Sequence, residues 1–482
     1  MSIKKNYIYN LVYEMISLLI PVITMPYVSK VLGADGIGIN SYTYTTANYF
    51  VLAASLGTSV YARREIAYKR DDIKKKSVAF WELFYLRMAT ALCSFVAYFI
   101  FLFINRFALM LVIQGIYIIS VILDITWYYQ GMENFGKVVI RNSLIKIIGM
   151  FFVFLLVKDQ EDVALYAFGL AIIPLISNLV FWKDISKEIL FISPIKIKPF
   201  RHIKDSFRLF IPTIVSQIYL TMDITMIGII SESKVQNGYY EQANKIINIC
   251  STIVTSLTTV LSVRIANVYD KGNEQMMAGY MQKSFRAIWC IAIPVSFGIF
   301  AIADILIPAY LGNEFIETAS LIKILSIIPL IVGLFSVTGS QYLVATNRVA
   351  AYTMSIIIGA AVNLPLNLYL IPRFLSRGAA FATVVAEISV LMFQIIYVCN
   401  IIKKLNLSDI FGCSIKYCVS GGAMFLVCQN VAKNFMPSYF HVCITVIIGI
   451  IIYISILVIL KDDMILYYLR MAKNRVLRGN KL

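Results

Sequence analysis

The sequence predicts an all-α, polytopic membrane fold with about fourteen transmembrane helices, and three observations carry that prediction. Hydrophobic residues make up 60% of the chain and charged residues only 14%, with a mean hydropathy of +0.79; soluble domains carry about 25% charged residues. The apolar residues fall into blocks of about 20, the length at which a helix crosses a hydrocarbon layer of about 30 Å. Lysine and arginine also fall on alternate connections, with 31 on one set of loops and 7 on the other. Basic residues are retained on the cytoplasmic side, so both termini are expected there.

In chain order the expected spans are 7–28, 39–60, 78–104, 107–130, 138–157, 163–182, 208–230, 239–262, 284–303, 318–343, 351–371, 378–400, 411–431 and 440–460. One long polar connection, residues 183–207 with Pro194 and Pro199, divides them. The expected organisation is an N-terminal lobe of six helices (1–182), a cytoplasmic linker (183–207), a second six-helix lobe (208–400), and a final helix pair with a basic cytoplasmic tail (401–482). A faint repeat supports the two lobes: Gly36-Ile-Gly38 leads into a polar helix with Tyr42, Tyr44 and Asn48, and Gly238-Tyr-Tyr240 leads into Asn244 and Asn248. Parallel repeats of this kind build transporters.

The net charge of +17 is mostly topological and suits anionic lipid headgroups; it does not indicate nucleic acid. Eight cysteines with no C-x-x-C pair, and two histidines, His202 and His441, fit neither a disulfide framework nor a zinc site. The basic start and apolar run of residues 1–30 lack a small-residue cleavage site and are expected to remain as the first helix. The segment Gly131 to Val138 matches G-x-x-x-x-G-K, but Val138 stands where Ser or Thr must ligate magnesium, and a membrane helix precedes it where a strand should. No motif for hydrolysing ATP is found, so an ion gradient (sodium or protons), the membrane potential or substrate consumption must drive any transport.

Ionisable side chains inside spans cost about 2.5–3.5 kcal/mol each on insertion scales and tend to face a polar cavity or a partner. Glu14, Arg87, Asp124 and Lys146 are expected roughly 9–14 Å from the cytoplasmic ends of their helices, which suggests a shared cavity open to the cytoplasm. Asp223, Lys245, Lys323 and Glu387 lie nearer the outer ends of theirs. The plainer alternative is that Arg87 with Asp124, and Lys245 with Glu241, neutralise each other between packed helices. The polar run from Asn40 to Asn48 offers hydroxyls and amides that suit a sugar path, or ordinary helix-packing contacts.

The stretch Asp124-Ile-Thr-Trp127-Tyr-Tyr-Gln130-Gly131-Met-Glu133, followed by Arg141-Asn142 and Lys146, resembles the bacterial flippases for O-antigen and capsule repeat units. These form the polysaccharide-export branch of the superfamily that also holds multidrug and toxin extrusion carriers and lipid II flippases. Further segments look like the same family: Pro26 to Gly36, Arg63-Arg64-Glu65, Gly238 to Lys245, and Asn363 through Gly378-Ala-Ala380 to Glu387. Val263 stands before Arg264 where many relatives have proline. The resemblance implies two V-shaped six-helix lobes around a cationic central cavity, helices 13 and 14 as an accessory pair, and no enzymatic activity. It implies a substrate of undecaprenyl-diphosphate-linked oligosaccharide, turned from the inner to the outer leaflet of the bacterial cytoplasmic membrane for capsule, O-antigen or exopolysaccharide synthesis. Polysaccharide polymerase and glycosyltransferases are the implied partners, and a monomer the expected state.

With that substrate, Arg87, Lys146, Lys245, Arg264, Arg63 and Arg64 are the expected diphosphate contacts, and Tyr44 and Asn48 the sugar contacts. Glu14, Asp124, Asp223 and Glu387 are expected to pair charges or couple an ion. A lipid II flippase and a cation-coupled multidrug exporter are the alternatives within transport. A membrane-embedded polymerase or ligase would carry catalytic arginines on a large outer loop, and the longest outer loop, residues 304–317, has none.

Overall fold

A computed structural model describes residues 3–103, 105–193, 197–270, 274–401, 407–412, 414–434, 436–467 and 471. Most of the basic tail, part of the 183–207 linker and Cys413 lie outside these. The described chain is all-helical and separates into two compact units, residues 1–241 and 242–482.

The first unit opens with α1 (Ile3–Ser55). A straight helix of that length would run about 80 Å, far more than a bilayer, and the chain breaks at Gly33 with φ 66° and ψ −179°. Such a backbone needs glycine, so the outer connection expected at 29–38 contracts to a kink. Next come α2 (Thr58–Lys69) and α3 (Ile73–Leu102), where Asp72 caps α3 by accepting from the amides of Lys74 and Lys75 at 3.0 and 3.1 Å. These two bonds hold the Asp72 carboxyl below the usual carboxylate range. The expected fourth span is three pieces, α4 (Ala108–Gln114), α5 (Ile116–Leu123) and α6 (Thr126–Gly131). Helices α7 (Phe135–Leu156), α8 (Val163–Glu188) and α9 (Ile203–Ile230) complete the unit, and α10 (Val235–Asp270) begins in it.

The core where α6 meets the start of α3 and the end of α8 is aromatic. Trp127, Tyr128 and Tyr129 are buried with Phe80 and Phe181, and the two tyrosine hydroxyls donate to Glu188 Oε2 and the Phe181 carbonyl, each at 3.0 Å. Buried tyrosines with satisfied hydroxyls combine large apolar area with fixed orientation, so most of the Trp-Tyr-Tyr motif serves packing. Near it the linker docks on α3: buried Glu82 accepts from Arg201, from His202 Nε2 at 3.0 Å and from the Lys198 amide at 2.9 Å.

The second unit is organised on α11 (Glu274–Tyr310), against which pack α12 (Ile316–Leu325), α13 (Ile328–Thr338), α16 (Ser414–Asn434) and α17 (Tyr439–Ile459). A π-helical turn at Gly339–Val344 ends α13. Helix α14 (Val349–Ile401) breaks at Leu375, φ 50°, and α15 (Leu407–Phe411) is a short connector. The last two helices are fastened to α11 by polar bonds. Tyr453 donates to the Cys290 carbonyl at 2.8 Å, and Arg286 donates to Tyr417 at 3.2 Å and to buried Asp462 at 3.0 Å. Burial raises the Asp462 pKa, but the Arg286 hydrogen bond and the Ile465 amide outweigh it and hold the carboxyl below its usual value. A depressed native pKa contributes stability that is present at neutral pH and lost as pH falls through that value. Asp462→Asn is therefore expected to lower the melting temperature at pH 7, and the gap from wild type should close on acidification. A constant gap would assign the effect to packing.

Among the described residues nine helices are long and apolar enough to cross a membrane, ten if the bent pair Asn313–Leu325 and Ile328–Val344 counts as one span. The number falls short of fourteen for a physical reason. Two of the nine, Val12–Lys69 and Val349–Cys399, each hold two expected spans joined through a kink. The expected eighth and thirteenth spans lie on α10 and α16, and polar residues such as Lys416, Gln429 and Asn430 keep α16 out of the apolar set.

Candidate functional site

The break between α5 and α6 makes the site. Asp124 is extended (φ −75°, ψ 106°), which interrupts the helix at membrane depth and frees backbone groups. Irregular backbone at that depth is tolerated where it is buried in protein or lines a polar cavity, and here each freed group has a reason to stay. Arg87 of α3, 3% exposed, donates from Nη1 to the Asp124 carbonyl at 3.1 Å and from Nη2 to its carboxylate at 3.4 Å. The other carboxylate oxygen of Asp124 accepts from the Thr126 amide at 3.0 Å and starts α6. Arg87 thus ties charge and backbone of the break to α3.

Asp124 remains 25% exposed and opens on a polar pocket of about 230 Å³ lined also by Gln130, Arg141, Asn142, Asn178 and Tyr117. The second cation there is Arg141, in the second turn of α7. Its guanidinium donates to Ser177 at 3.0 Å, to Asn142 at 3.3 Å and to Asn178, and lies 5.0 Å from the Phe181 ring centre. Asn178 is fixed in turn by donating to the Ser120 carbonyl and hydroxyl at 3.0 and 2.8 Å. Arg141 is therefore oriented by neutral groups, and among the described residues no carboxylate lies within ion-pair distance of it. Three of the five N–H donors of a guanidinium are engaged. A fixed cation with spare donors above amides and hydroxyls can take a phosphate oxygen on one side and a sugar on the other.

The expected site residues separate. Arg87 and Asp124 pair, and Asp124 lines the pocket. Tyr44, exposed, packs its ring 5.3 Å from Tyr117, which lines the same pocket. Lys146 lines a neighbouring recess with Pro21 and Thr24 and lies 5.1 Å from the Tyr13 ring centre. Glu14, Arg63 and Arg64 are exposed and Asn48 is half-buried. Asp223 is buried and accepts from Tyr240 at 2.7 Å. In the second unit Lys245 and Glu387 are half-buried and Arg264 is exposed, whereas Lys323 reaches Asp304 at 2.7 Å. Arg141 is not among the expected contacts: it lies within one turn of the start of the expected fifth span, 138–157, where arginine is ordinary. The four-residue spacing of Lys137 and Arg141 behind Asn134 is the signal that α7 starts earlier.

Fold and site together define a polytopic helical transporter. Over 95% of this chain and 100% of the other, the structure superposes with a TM-score of 0.79 and 16% identity on "Lipid II flippase MurJ, inward closed conformation". An inward-facing multidrug resistance MATE family transporter of the MOP superfamily superposes over 80% of this chain and 99% of its own, TM-score 0.57 and 14% identity. The sequence pattern of the family described as "Polysaccharide biosynthesis protein" matches residues 3–262, more than half of the chain, and that of MatE matches residues 209–369. The chain belongs to the polysaccharide biosynthesis protein family, a family of transporters, not enzymes. Relatives named "Putative O-antigen transporter" are found in Escherichia coli (strain K12), 22% identical over 83% of this chain and 97% of that protein, and in Shigella dysenteriae, 18% identical over 81% and 99%.

Proposed function

We propose that this protein flips an undecaprenyl-diphosphate-linked oligosaccharide repeat unit from the inner to the outer leaflet of the bacterial cytoplasmic membrane, for surface polysaccharide synthesis. The observation that carries this reading is Arg141: a cation fixed at membrane depth by neutral groups, beside a pocket of amides and hydroxyls. Arg141 is half-buried, forms no ion pair among the described residues and shares its pocket with Asp124; a cation at membrane depth costs free energy, and an anionic ligand that arrives and leaves accounts for its retention. The O-antigen transporters among the relatives point to the same cargo.

The cycle we propose is alternating access between two six-helix lobes with an accessory pair, with Lys146, Lys245, Arg264, Arg63 and Arg64 serving the diphosphate along its path. Asp223 or Glu14 is the place for a coupling sodium ion or proton. The excess of basic residues on one set of loops supports cytoplasmic termini, and one chain suffices as a monomer. Depleting the protein and analysing lipid-linked glycans by mass spectrometry, with a membrane-impermeant probe for leaflet, tests the reading. One oligosaccharide diphospholipid should accumulate on the inner leaflet, and wild-type protein but not Arg141→Gln should clear it. An unchanged glycolipid pool would reject the proposal, and accumulation of lipid II alone would reassign the cargo.

A further inference from the structure

A second feature surrounds Arg141. On α7, Ile140, Leu144 and Ile148 recur at helical spacing, and on α8 Ile173, Ile176 and Val180 do the same; residues three and four apart share a helix face. The two stripes face each other across a groove of about 460 Å³. The groove shares Ile145 and Ile173 with the recess that reaches Pro21 and Thr24 of α1, so an apolar surface runs on from α7 and α8 to α1. Its polar end holds Lys137, Asp184 and Arg141. Lys137 is answered by Asp184 at 3.2 Å and Glu188 at 3.7 Å, whereas Arg141 forms no ion pair among the described residues and faces only Asp124 across the polar pocket. Arg141 lines both this groove and the polar pocket beside Asp124.

From this juxtaposition we infer that the α7–α8 groove is the slot for the prenyl chain of the substrate, with its diphosphate at Arg141 and its first sugar in the polar pocket. The inference rests on the flippase reading above and assigns it a place for the tail. An amphiphile needs three environments in order along its length: an aliphatic channel, a fixed cation, and a pocket of amides and hydroxyls. The residues supply them in that order along α7 and α8, with α5 and α6 completing the polar pocket. The polar pocket selects the occupant, because Gln130, Asn142 and Asn178 offer the amide chemistry that a glycan-bearing headgroup uses and a plain glycerophospholipid does not require.

The test uses the purified full chain in detergent and two ligands: undecaprenyl diphosphate, and isopentenyl diphosphate as a head with almost no chain. Leu144→Trp and Ile176→Trp together fill the groove; both positions are exposed, so the protein can carry the larger rings. The filled variant should bind the long-chain diphosphate about tenfold or more weakly, the equivalent of losing roughly two buried methylenes, and should bind isopentenyl diphosphate as wild type does. That retained binding also shows that the variant is folded. Arg141→Gln should weaken both ligands. If the filled variant binds the long chain like wild type while Arg141→Gln loses both, the groove inference fails and the headgroup site stands. If Arg141→Gln binds both normally, or wild type binds neither, the headgroup site fails and the groove inference with it. Loss of copurifying phospholipid from the filled variant at unchanged long-chain affinity would make the groove a bulk-lipid site and overturn the inference.

Discussion

Arg87→Ala is expected to lower resistance to unfolding by about 1–3 kcal/mol, the cost typical of leaving hydrogen-bonded groups unpaired when one of them, Asp124, keeps part of its surface in the pocket, and to reduce polysaccharide export to background. The double variant Arg87→Ala/Asp124→Asn is expected to recover most of the stability and none of the export. The size of the effect follows from what Arg87 holds. Its two terminal nitrogens bind both the carboxylate and the carbonyl of Asp124, so the single truncation leaves a charge and an unpaired backbone oxygen at membrane depth. Neutralising Asp124 removes the charge, but the break between α5 and α6 still lacks its tie to α3, and the pocket that Asp124 lines loses its geometry. Thermal unfolding of the purified proteins gives the coupling energy of a double-mutant cycle, and surface polysaccharide gives the export. Equal stability of the single and double variants would show that Asp124 is neutralised by other means.

The helical architecture was legible because hydrophobic block length depends on bilayer thickness alone; the blocks from 138–157 and 163–182 coincide with α7 and α8. The fourth block was not legible in detail. Residues 107–130 read as one apolar span, and the break at Asp124 depends on Arg87 arriving from α3, a tertiary contact invisible to a local pattern. The outer connection at 29–38 failed for the opposite reason. Gly33 permits a left-handed kink, so the chain turns without a loop, and composition cannot tell a short loop from a bent helix.

Of the site, charge at membrane depth was the readable part. Arg87 and Asp124 stood out because an ionisable group in an apolar block is rare and costly. Their mutual pairing was an open alternative in the sequence, and the structure makes the pair. Arg141 was hidden by its position: it lies within one turn of the start of the expected span 138–157, where arginine is ordinary. Its partners Ser177 and Asn178 lie some 36 residues away and no spacing rule connects them. The Trp-Tyr-Tyr stretch carried the family resemblance, yet its rings are core, which shows that a recognisable motif and a functional one need not coincide residue for residue.

Gly38→Ala and Gly238→Ala are each expected to cut export about tenfold or more, because the backbone contact that they form cannot accept even a methyl group. A Cβ on Gly38 would lie 1.8 Å from the Lys234 carbonyl oxygen, and one on Gly238 would lie 2.0 Å from that of Ala34. Both obstacles are backbone, so relief requires the segments 34–38 and 234–238 to move apart, at a cost of about 1–3 kcal/mol for an overpacked contact, and about 1.4 kcal/mol is already a factor of ten. These are the segments of the faint repeat, Gly36-Ile-Gly38 and Gly238-Tyr-Tyr240, and the structure packs one against the other. Side chains lock the contact. Ser41 donates to Glu241 at 3.0 Å, and the buried Lys234 amine donates to the Gly228 and Ser231 carbonyls while lying 4.8 Å from the Tyr42 ring centre. Burial holds that amine's pKa below the usual lysine value, against the opposing pull of Asp35. An impermeant thiol reagent reads the contact: Ser41→Cys in a background without native cysteines should resist labelling, since Ser41 is buried, and should label readily once Gly38→Ala is added. The Gly38→Ala/Gly238→Ala double variant should be little worse than either single, because the first methyl group has already separated the two backbones. Additive losses, or an introduced thiol as well protected with Gly38→Ala as without it, would mean that the glycines act at separate places and that this contact does not shield Ser41.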